Sequence, residues 1–480
     1  MFCSASRPLL VIAVLACASF CFAQGPCPTA TSTETSAIPS RSGDLICLVP
    51  QVYGPGGLVG TDHGGPLVST ANFSHAAHFT NSTLQSFSPL NTEIGSQISN
   101  LPITAPISGF LFSFNPSLGV VSRQTESFGP ILTERADTIG KHKLFVGFSY
   151  QYFNFDKIDS VNLKNFGAVF QHESEPELCN PVPVVTCTPD GEPVFQKDVI
   201  GTQNRIDLRV NQFVGVATFG VTDRLDVSVA IPILNVREGM NSDANITSFE
   251  GPTDRPPCCV HAFDPANPQI PSHATFFSTS HEQFFDSKST TGIGDITLRG
   301  KYEIVRREKW GLAVGTDVRL PTGDEQNFHG AGTWGVRPFG TFSYSGRIAP
   351  HASLGYQWNG DSILAGDVTT DTKGHLPNIL TYSAGVDAGI THRISVTGDF
   401  IGQSLFDTKK ITATTFTDFG GTTHSNIEAT TATTNQAYIS VGGKINPVGR
   451  LLVILNVLFQ VNEAGLHSKP VPLVGLSYTF

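Results

Sequence analysis

Apolar and polar residues alternate at the C-terminal end of the chain. In residues 471–480, the apolar residues Val474, Leu476, Tyr478 and Phe480 take every second position, with Gly, Ser and Thr between them. A period of two predicts a β-strand with one apolar face. A strand that finishes on an aromatic residue is typical of the last strand of a transmembrane β-barrel, whose apolar face lies in lipid. Leu476, Tyr478 and Phe480 resemble the signal that bacterial barrel-assembly machinery reads.

The same alternation recurs along the chain from residue 141 onward. The predicted strands span 142–156, 203–219, 223–237, 291–306, 309–321, 333–346, 347–359, 378–390, 392–406, 432–446, 449–462 and 469–480. Each is long enough to cross a bilayer as a tilted strand, which takes about 9–11 residues.

The connections between these strands alternate between short turns and long loops. The short turns centre on 221–223, 307–308, 346–347, 391–392 and 446–449, and the long loops span 157–202, 238–290, 322–332, 360–377, 407–431 and 463–468. Short periplasmic turns and long external loops are typical of outer-membrane barrels. The pattern predicts an all-β fold, an antiparallel transmembrane β-barrel of about 12 strands, with 14 strands as the alternative.

Charged residues within these strands are expected on the lumen face. A Lys or Arg that faces lipid at the bilayer midplane costs roughly 2–4 kcal/mol. The predicted lumen-lining residues are Arg205, Asp207, Arg209, Arg224, Asp226, Asp295, Arg299, Lys301, Asp317, Arg319, Asp387, Asp399 and Lys444. Both signs are present, so we expect most of them to pair as a structural ladder. The alternative is a constriction that selects solutes.

One predicted strand, 449–462, places apolar residues on the lumen face. These are Leu452, Ile454 and Leu458, which stand beside Asn456 and Gln460. An apolar patch in the lumen could bind a hydrophobic substrate, or it could pack against an N-terminal plug. Packing against a plug needs no ligand, and we favour it.

The N-terminal part of the chain divides into two further regions. Arg7, the apolar run 8–16 and Ala23 before Gln24 predict a cleavable signal peptide over 1–23, and hence export to the outer membrane. Residues 24–140 are rich in Ser, Thr, Pro, Gly and Asn and have weak periodicity. We interpret them as a periplasmic arm or a plug, with a disordered extension as the alternative. The barrel then occupies 141–480.

Composition narrows the function classes. Acidic residues outnumber basic ones, 40 to 30, which argues against a nucleic-acid partner. The expected partners are outer-membrane lipid, the assembly machinery and a small-molecule solute. Six cysteines follow the predicted signal peptide, and an even number in an exported chain suggests disulfides. The candidates are Cys27, Cys47, Cys179, Cys187, Cys258 and Cys259. No spacing supports a metal site, and no cofactor is predicted.

Enzymatic and adhesive barrels are the alternatives to a channel. A lipase needs Ser and His together with an orienting third group. His351 and Ser353 lie two residues apart on one face of a predicted strand, but the sequence offers no obvious acid partner. We therefore expect no catalysis. The loop 238–290 could form a lid or an adhesive surface, so a structural or adhesive barrel stays open.

Several short motifs stand in order between residues 127 and 399. They are Ser127-Phe-Gly-Pro130, Glu134-Arg-Ala-Asp-Thr-Ile-Gly140, Gly220-Val-Thr-Asp-Arg-Leu-Asp226, Gly292-Ile-Gly-Asp-Ile296, Leu320-Pro-Thr-Gly-Asp324, Gly385-Val-Asp-Ala-Gly389 and Arg393-Ile-Ser-Val-Thr-Gly-Asp399. Over 127–480 the ordered set resembles the outer-membrane transporters associated with the phenol meta-cleavage pathway. The resemblance implies passive passage of small hydrophobic or aromatic solutes.

Overall fold

The computed structural model describes the barrel and several parts of the region before it. The described residues are 26–27, 42–54, 79–102, 112–115, 120–123, 127–173, 188, 194–249, 261, 263 and 280–480. The predicted signal peptide 1–23 lies outside these residues, as do four of the candidate disulfide cysteines, Cys179, Cys187, Cys258 and Cys259.

Within the described residues the chain forms one α-helix and twenty strands. The helix is α1 (Thr80–Ile98), and the strands are β1 (Phe112–Asn115), β2 (Val120–Arg123), β3 (Leu144–Ile158), β4 (Val161–Asn162), β5 (Phe166–Gln171), β6 (Val199–Gly220), β7 (Leu225–Thr247), β8 (His281–Ile293), β9 (Thr297–Arg306), β10 (Trp310–Arg319), β11 (Gly335–Tyr344), β12 (Ile348–Asn359), β13 (Asp361–Asp367), β14 (Thr372–His375), β15 (Asn378–Thr391), β16 (Ile394–Thr417), β17 (Thr423–Ile445), β18 (Leu451–Gln460), β19 (Leu466–Ser468) and β20 (Val471–Thr479). Among these residues, no helix combines the length and the apolar character needed to cross a membrane.

Twelve antiparallel strands close into a barrel. Their order around the wall is β3, β6, β7, β9, β10, β11, β12, β15, β16, β17, β18 and β20. The wall closes at β3, where Phe145 pairs with Thr479 of β20 on one side and with Thr218 of β6 on the other. Strand β8 continues the position of β9 and pairs with the far half of β7. The structure confirms the prediction of an antiparallel transmembrane β-barrel of twelve strands.

The two faces of the wall alternate as a barrel in lipid requires. In β20, buried and exposed residues take strictly alternate positions, with Val474, Leu476 and Tyr478 on the exposed side. Phe480 is also exposed, and its ring lies 4.7 Å from that of Tyr478. The C-terminal residues therefore lie on the outer surface of the barrel, where lipid would contact them.

Four strands extend far beyond the length needed to cross a bilayer. Strands β6, β7, β16 and β17 have 22, 23, 24 and 23 residues, against about 11 for a spanning strand. All four extend toward the end of the barrel that carries the long loops, called here the long-loop end; the opposite end is the short-turn end. The predicted loops 238–290 and 407–431 are therefore too long, because β7 reaches Thr247, β8 starts at His281 and the turn between β16 and β17 is only 418–422.

This extension corrects three of the predicted lumen residues. From Ile200 onward the buried positions of β6 are even-numbered, and Arg205, Asp207 and Arg209 lie on the outer face with the exposed Phe213. They lie in the part of β6 beyond the bilayer, where an outward charge faces water, so the rule that charges point inward does not apply. Asp207 there accepts 2.8 Å hydrogen bonds from Lys164 and Arg209.

Arg224 is the fourth correction. It lies in the exposed turn between β6 and β7 at the short-turn end rather than in the lumen.

Candidate functional site in the barrel lumen

Residues 127–140, called here the inner segment, lie inside the barrel at the short-turn end. The segment is almost entirely buried, and its backbone N–H groups donate to side chains on opposite parts of the wall. Phe128 N donates to Ser395 Oγ at 3.0 Å, Ala136 N to Ser343 Oγ at 3.0 Å and Ile139 N to Asp226 Oδ2 at 3.0 Å. Because these partners lie on β16, β11 and β7, the inner segment crosses the lumen.

Two buried lysines of the wall bind the backbone of the inner segment. Lys301 Nζ on β9 donates to the carbonyls of Arg135 and Asp137, both at 2.8 Å. Lys444 Nζ on β17 donates to the carbonyls of Phe128 at 3.1 Å and Pro130 at 2.6 Å. An ammonium carries three N–H donors, and Lys301 directs its third to the Glu134 carboxylate at 3.1 Å.

A ladder of charges links the inner segment to the neighbouring strands. The carboxylate of Glu134 is bound by Arg299 as well as by Lys301. Arg299 also makes a two-pronged contact with Asp317, with Nε and Nη2 at 2.5 and 2.9 Å from its oxygens. Asp317 is shared with Arg337 of β11. Glu134 of the inner segment is thus joined through Arg299 and Asp317 to the strands β9, β10 and β11.

His351 joins this polar layer as a structural contact to the inner segment. Its Nε2 lies 2.8 Å from Asp399 and 2.8 Å from the Thr133 hydroxyl, and its Nδ1 lies 3.5 Å from Asp387. Thr133 also donates to Asp399 at 3.1 Å. Two carboxylates thus flank the histidine for which the sequence offered no acid partner, and the same groups are engaged by the inner segment.

The apolar patch on β18 also contacts the N-terminal region. Leu452 packs against Phe128, and Ile454 packs with Ile131 and Leu473. Leu458 lies farther toward the long-loop end, in the large apolar core that contains α1. The patch therefore faces N-terminal residues along its length, as packing against a plug requires.

A second part of the N-terminal region fills the long-loop end of the barrel. This part, called here the outer piece, comprises residues 42–54 and 79–102 and includes α1. Its apolar core is fully buried and contains Leu45, Val49, Phe87, Leu90 and Ile94. The disulfide between Cys27 and Cys47 ties residues 26–27 to it.

A few polar contacts also join the outer piece to the wall. Tyr53 Oη lies 2.6 Å from Ser242 Oγ, and Gln436 Nε2 donates to Gln97 Oε1 at 2.7 Å. Glu93 is buried on α1 and accepts a 2.9 Å hydrogen bond from the Thr408 hydroxyl. Burial raises the pKa of Glu93 from its ordinary value to about 8, despite the hydrogen bonds from Gln97 and Thr408.

A cavity of about 250 Å³ separates the inner segment from the outer piece. Residues 98–102 of the outer piece border it on one side, and residues 132–134 of the inner segment border it on the other. Its walls combine polar and apolar groups, among them Arg299, Asp317, Arg319, Arg337, Phe339 and Ile401. This cavity is the candidate functional site, because it lies in the lumen between the two parts of the N-terminal region.

The remaining predicted lumen charges lie inside the barrel, and all are buried except Arg299, whose side chain is 9% exposed. They are Asp226, Asp295, Arg299, Lys301, Asp317, Arg319, Asp387, Asp399 and Lys444. Asp295 accepts from the backbone N–H of Gly323 and Ala331 at 3.0 and 2.7 Å, which orders the loop after β10. In the described part of the chain, no group of three or more His, Cys, Asp or Glu residues is arranged to hold a metal ion.

Sequence reasoning missed two parts of this site. Arg337 belongs to a predicted strand, and its alternation with the outward residues Val336 and Pro338 indicates the lumen face. The inner segment has no periodicity, since it is neither helix nor strand. The sequence feature that marks it is the pair of motifs 127–130 and 134–140. The charged residues and glycines of these motifs have a clear role only in the lumen that the wall encloses.

A protein-family model matches the central part of the chain. Residues 193–429, just under half of the chain, match the model of the family described as "Putative MetA-pathway of phenol degradation". This match confirms the resemblance seen in the ordered motifs. No curated protein sequence matches the chain.

Three solved structures illustrate what the fold is similar to. The COG4313 outer membrane channel from Pseudomonas putida F1 is 9% identical, with 72% of this chain and 99% of that chain covered and a TM-score of 0.42. A Pseudomonas aeruginosa FadL homologue is 9% identical over 71% and 90% of the two chains, with a TM-score of 0.30. The Ralstonia pickettii toluene transporter TbuX is 10% identical over 71% and 90%, with a TM-score of 0.25.

Proposed function

We propose that this protein is an outer-membrane channel through which small hydrophobic or aromatic solutes pass without energy input. The observation that carries the proposal is the cavity of about 250 Å³ inside a closed barrel, between the inner segment and the outer piece. A buried cavity of about 150 Å³ is large enough to hold benzene. The cavity therefore has room for a solute with one aromatic ring.

In this proposal the N-terminal region acts as a plug in two parts. The inner segment and the outer piece lie across the lumen on either side of the cavity, so a solute passes only when each of them yields locally. The apolar contacts of Leu452 and Ile454 with Phe128 and Ile131 support this role. We also propose that assembly machinery reads the exposed Leu476, Tyr478 and Phe480.

Flux into lipid vesicles tests the function directly. The full mature chain is reconstituted, and the entry of toluene, phenol and a polar control such as glucose is followed without any energy source. We expect both aromatic compounds to enter faster than they enter empty vesicles. The increase over empty vesicles should be larger for them than for glucose. Flux equal to that of empty vesicles for every solute overturns the proposal and favours an adhesive or structural barrel.

A crosslink tests whether the inner segment gates the path. A Cβ placed on Gly311 would lie 3.3 Å from the Cβ of Ala136, close to the separation of about 3.8 Å in a disulfide. In Ala136→Cys/Gly311→Cys we expect oxidation to stop the flux and reduction to restore it. The single variant Ala136→Cys is the control. Full flux through the oxidised double variant would show that the solute bypasses the inner segment.

A further inference from the structure

Arg337 is the most accessible charged side chain in the wall of the cavity. Its side chain is 28% exposed, whereas its partner Asp317 is 8% exposed. The other charged side chains of the wall are 5–10% exposed, and they are Glu134, Asp295, Arg299 and Arg319. His329 is buried in the loop after β10, and burial lowers its pKa. A solute in the cavity therefore meets mainly the positive charge of Arg337.

The guanidinium of Arg337 keeps donors that its neighbours do not use. It donates from Nε and Nη2 to Asp317, and from Nη1 to Thr381 Oγ1 over a long 3.4 Å. A guanidinium has five N–H donors, so the described residues engage three of them. Asp317 does not depend on Arg337, because Arg299 binds both of its carboxylate oxygens.

An aromatic ring lies beside this cation on the same face of β11. The centre of the Phe339 ring is 5.7 Å from Arg337 Cζ. The ring is lodged against Gly315 of the neighbouring strand, where a Cβ would come within 2.4 Å of it. Glycine at that position leaves room for the ring, whose centre also lies 4.9 Å from Arg299 Cζ. The cavity thus offers a cationic fork and an apolar ring within a few ångströms of each other.

We propose that the cavity selects small aromatic solutes that carry an oxygen acceptor, above all a carboxylate, and that Arg337 is the residue that selects them. This inference rests on the proposed channel function. A guanidinium fork matches the two oxygens of a carboxylate, and the apolar part of the solute would lie near Phe339. Phenols, which accept one hydrogen bond, would be favoured less, and toluene would not be favoured at all.

The test compares benzoate, phenol and toluene in the full chain and in Arg337→Gln. Flux into vesicles gives the transport rate, and block of ion conductance by each compound gives its affinity. We expect Arg337→Gln to weaken benzoate binding about tenfold or more, phenol binding less, and to leave toluene flux unchanged. Arg337→Lys, which keeps the charge and loses the fork, should fall between the two. Arg205→Gln, on the outer surface of the barrel, is the matched control.

The outcomes separate this inference from the function on which it rests. Equal benzoate affinity in the wild type, Arg337→Gln and Arg337→Lys would overturn the inference while toluene flux still supports the channel. Flux no greater than that into empty vesicles, for every solute in the wild type, would overturn the channel itself. Should Arg337→Gln fail to fold, Arg337→Lys still tests the inference. The order of the benzoate, phenol and toluene affinities in the wild type tests it as well. Toluene that binds as tightly as benzoate contradicts the inference.

Discussion

The inner segment and the outer piece fill the same lumen but are held in it by different forces. The inner segment is bound through the charged groups of Lys301, Lys444 and Arg299, with three small apolar clusters beside them. The outer piece is bound mainly through a large apolar core with a small number of polar contacts. Buried charge pairs are sensitive to the loss of a single partner, whereas an apolar core is weakened by cavities and by competing apolar molecules. We therefore expect the two parts of the plug to be released by different perturbations.

The largest effect is expected from a cavity in the outer piece. Phe87 is fully buried, and its ring lies 5.3 Å from that of Phe170 on β5. Phe87→Ala should destabilise docking of the outer piece by roughly 3–5 kcal/mol and leave the inner segment in place. Hydrogen exchange should rise over 79–102 and stay unchanged over 127–140. The exposed Gln85→Ala on the same helix is the control, and a uniform rise in both regions would contradict the separation.

The converse variant acts on the inner segment. Lys444→Met removes the donor to the carbonyls of Phe128 and Pro130, and a buried acceptor left unsatisfied costs roughly 1–3 kcal/mol. Exchange should rise over 127–131 and ion conductance should increase, while 79–102 stays protected. Lys309→Met, in the exposed turn before β10, should change neither. Unchanged conductance and exchange in Lys444→Met would show that the inner segment does not depend on this lysine.

The pH should affect the outer piece through Glu93. Its pKa is raised to about 8 in the folded state by burial, so the folded protein holds a proton that the released helix loses near its ordinary pKa. Docking is then strongest at low pH and weakens as the pH rises toward 8, by at most about 1.4 kcal/mol per pH unit. Asp159 and Lys409 are the other charges that act on Glu93.

Glu93→Gln provides the comparison for this effect. The hydrogen-exchange rate over 79–102 is measured in the wild type and in the variant at each pH. The ratio of the two rates is free of the intrinsic pH dependence of exchange, because that dependence is the same in both proteins. The wild type should become less protected than the variant as the pH rises from 5 to 8. A constant ratio across that range would mean that Glu93 does not couple the helix to pH.

The smallest effect is expected where a single methyl group is removed. Ile454 contacts Ile131 of the inner segment, and Ile→Val in a core costs roughly 0.5–1.5 kcal/mol. Ile454→Val should slightly raise conductance, whereas Leu455→Val on the outer face should not. The larger change Ile454→Asn should increase the leak further. Equal conductance in the wild type, Ile454→Val and Ile454→Asn would show that this apolar contact does not help to hold the plug.

The barrel could be predicted from the sequence because lipid and lumen impose opposite demands on successive residues. In β20 that demand holds at every position, and the alternation gives both the strand and its orientation. It fails in β6 at Arg205, Asp207 and Arg209, where the strand has left the bilayer and both faces can carry charge. The apolar pattern of a strand does not indicate how far the strand continues beyond the membrane.

The inner segment could not be predicted in the same way. Its position depends on single hydrogen bonds to residues that are distant in sequence: Lys301 lies 166 residues from Arg135, and Lys444 lies 316 residues from Phe128. The pattern of apolar and polar residues within one stretch of chain does not indicate such distant partners. The lysines themselves were predicted to face the lumen, but what they bind there was not.

The inner segment also constrains the order in which the molecule is made. It leads directly into β3, and β3 must pair with β20, which follows the other eleven wall strands in chain order, before the wall is complete. Once that seam has formed, the only way in for the preceding chain is end-on threading through an opening. The segment is therefore expected to be in place while the sheet is still open, so that the wall curls around it and Lys301 and Lys444 find their carbonyls during assembly. On this view the N-terminal region acts as a template around which the barrel assembles before it acts as the plug.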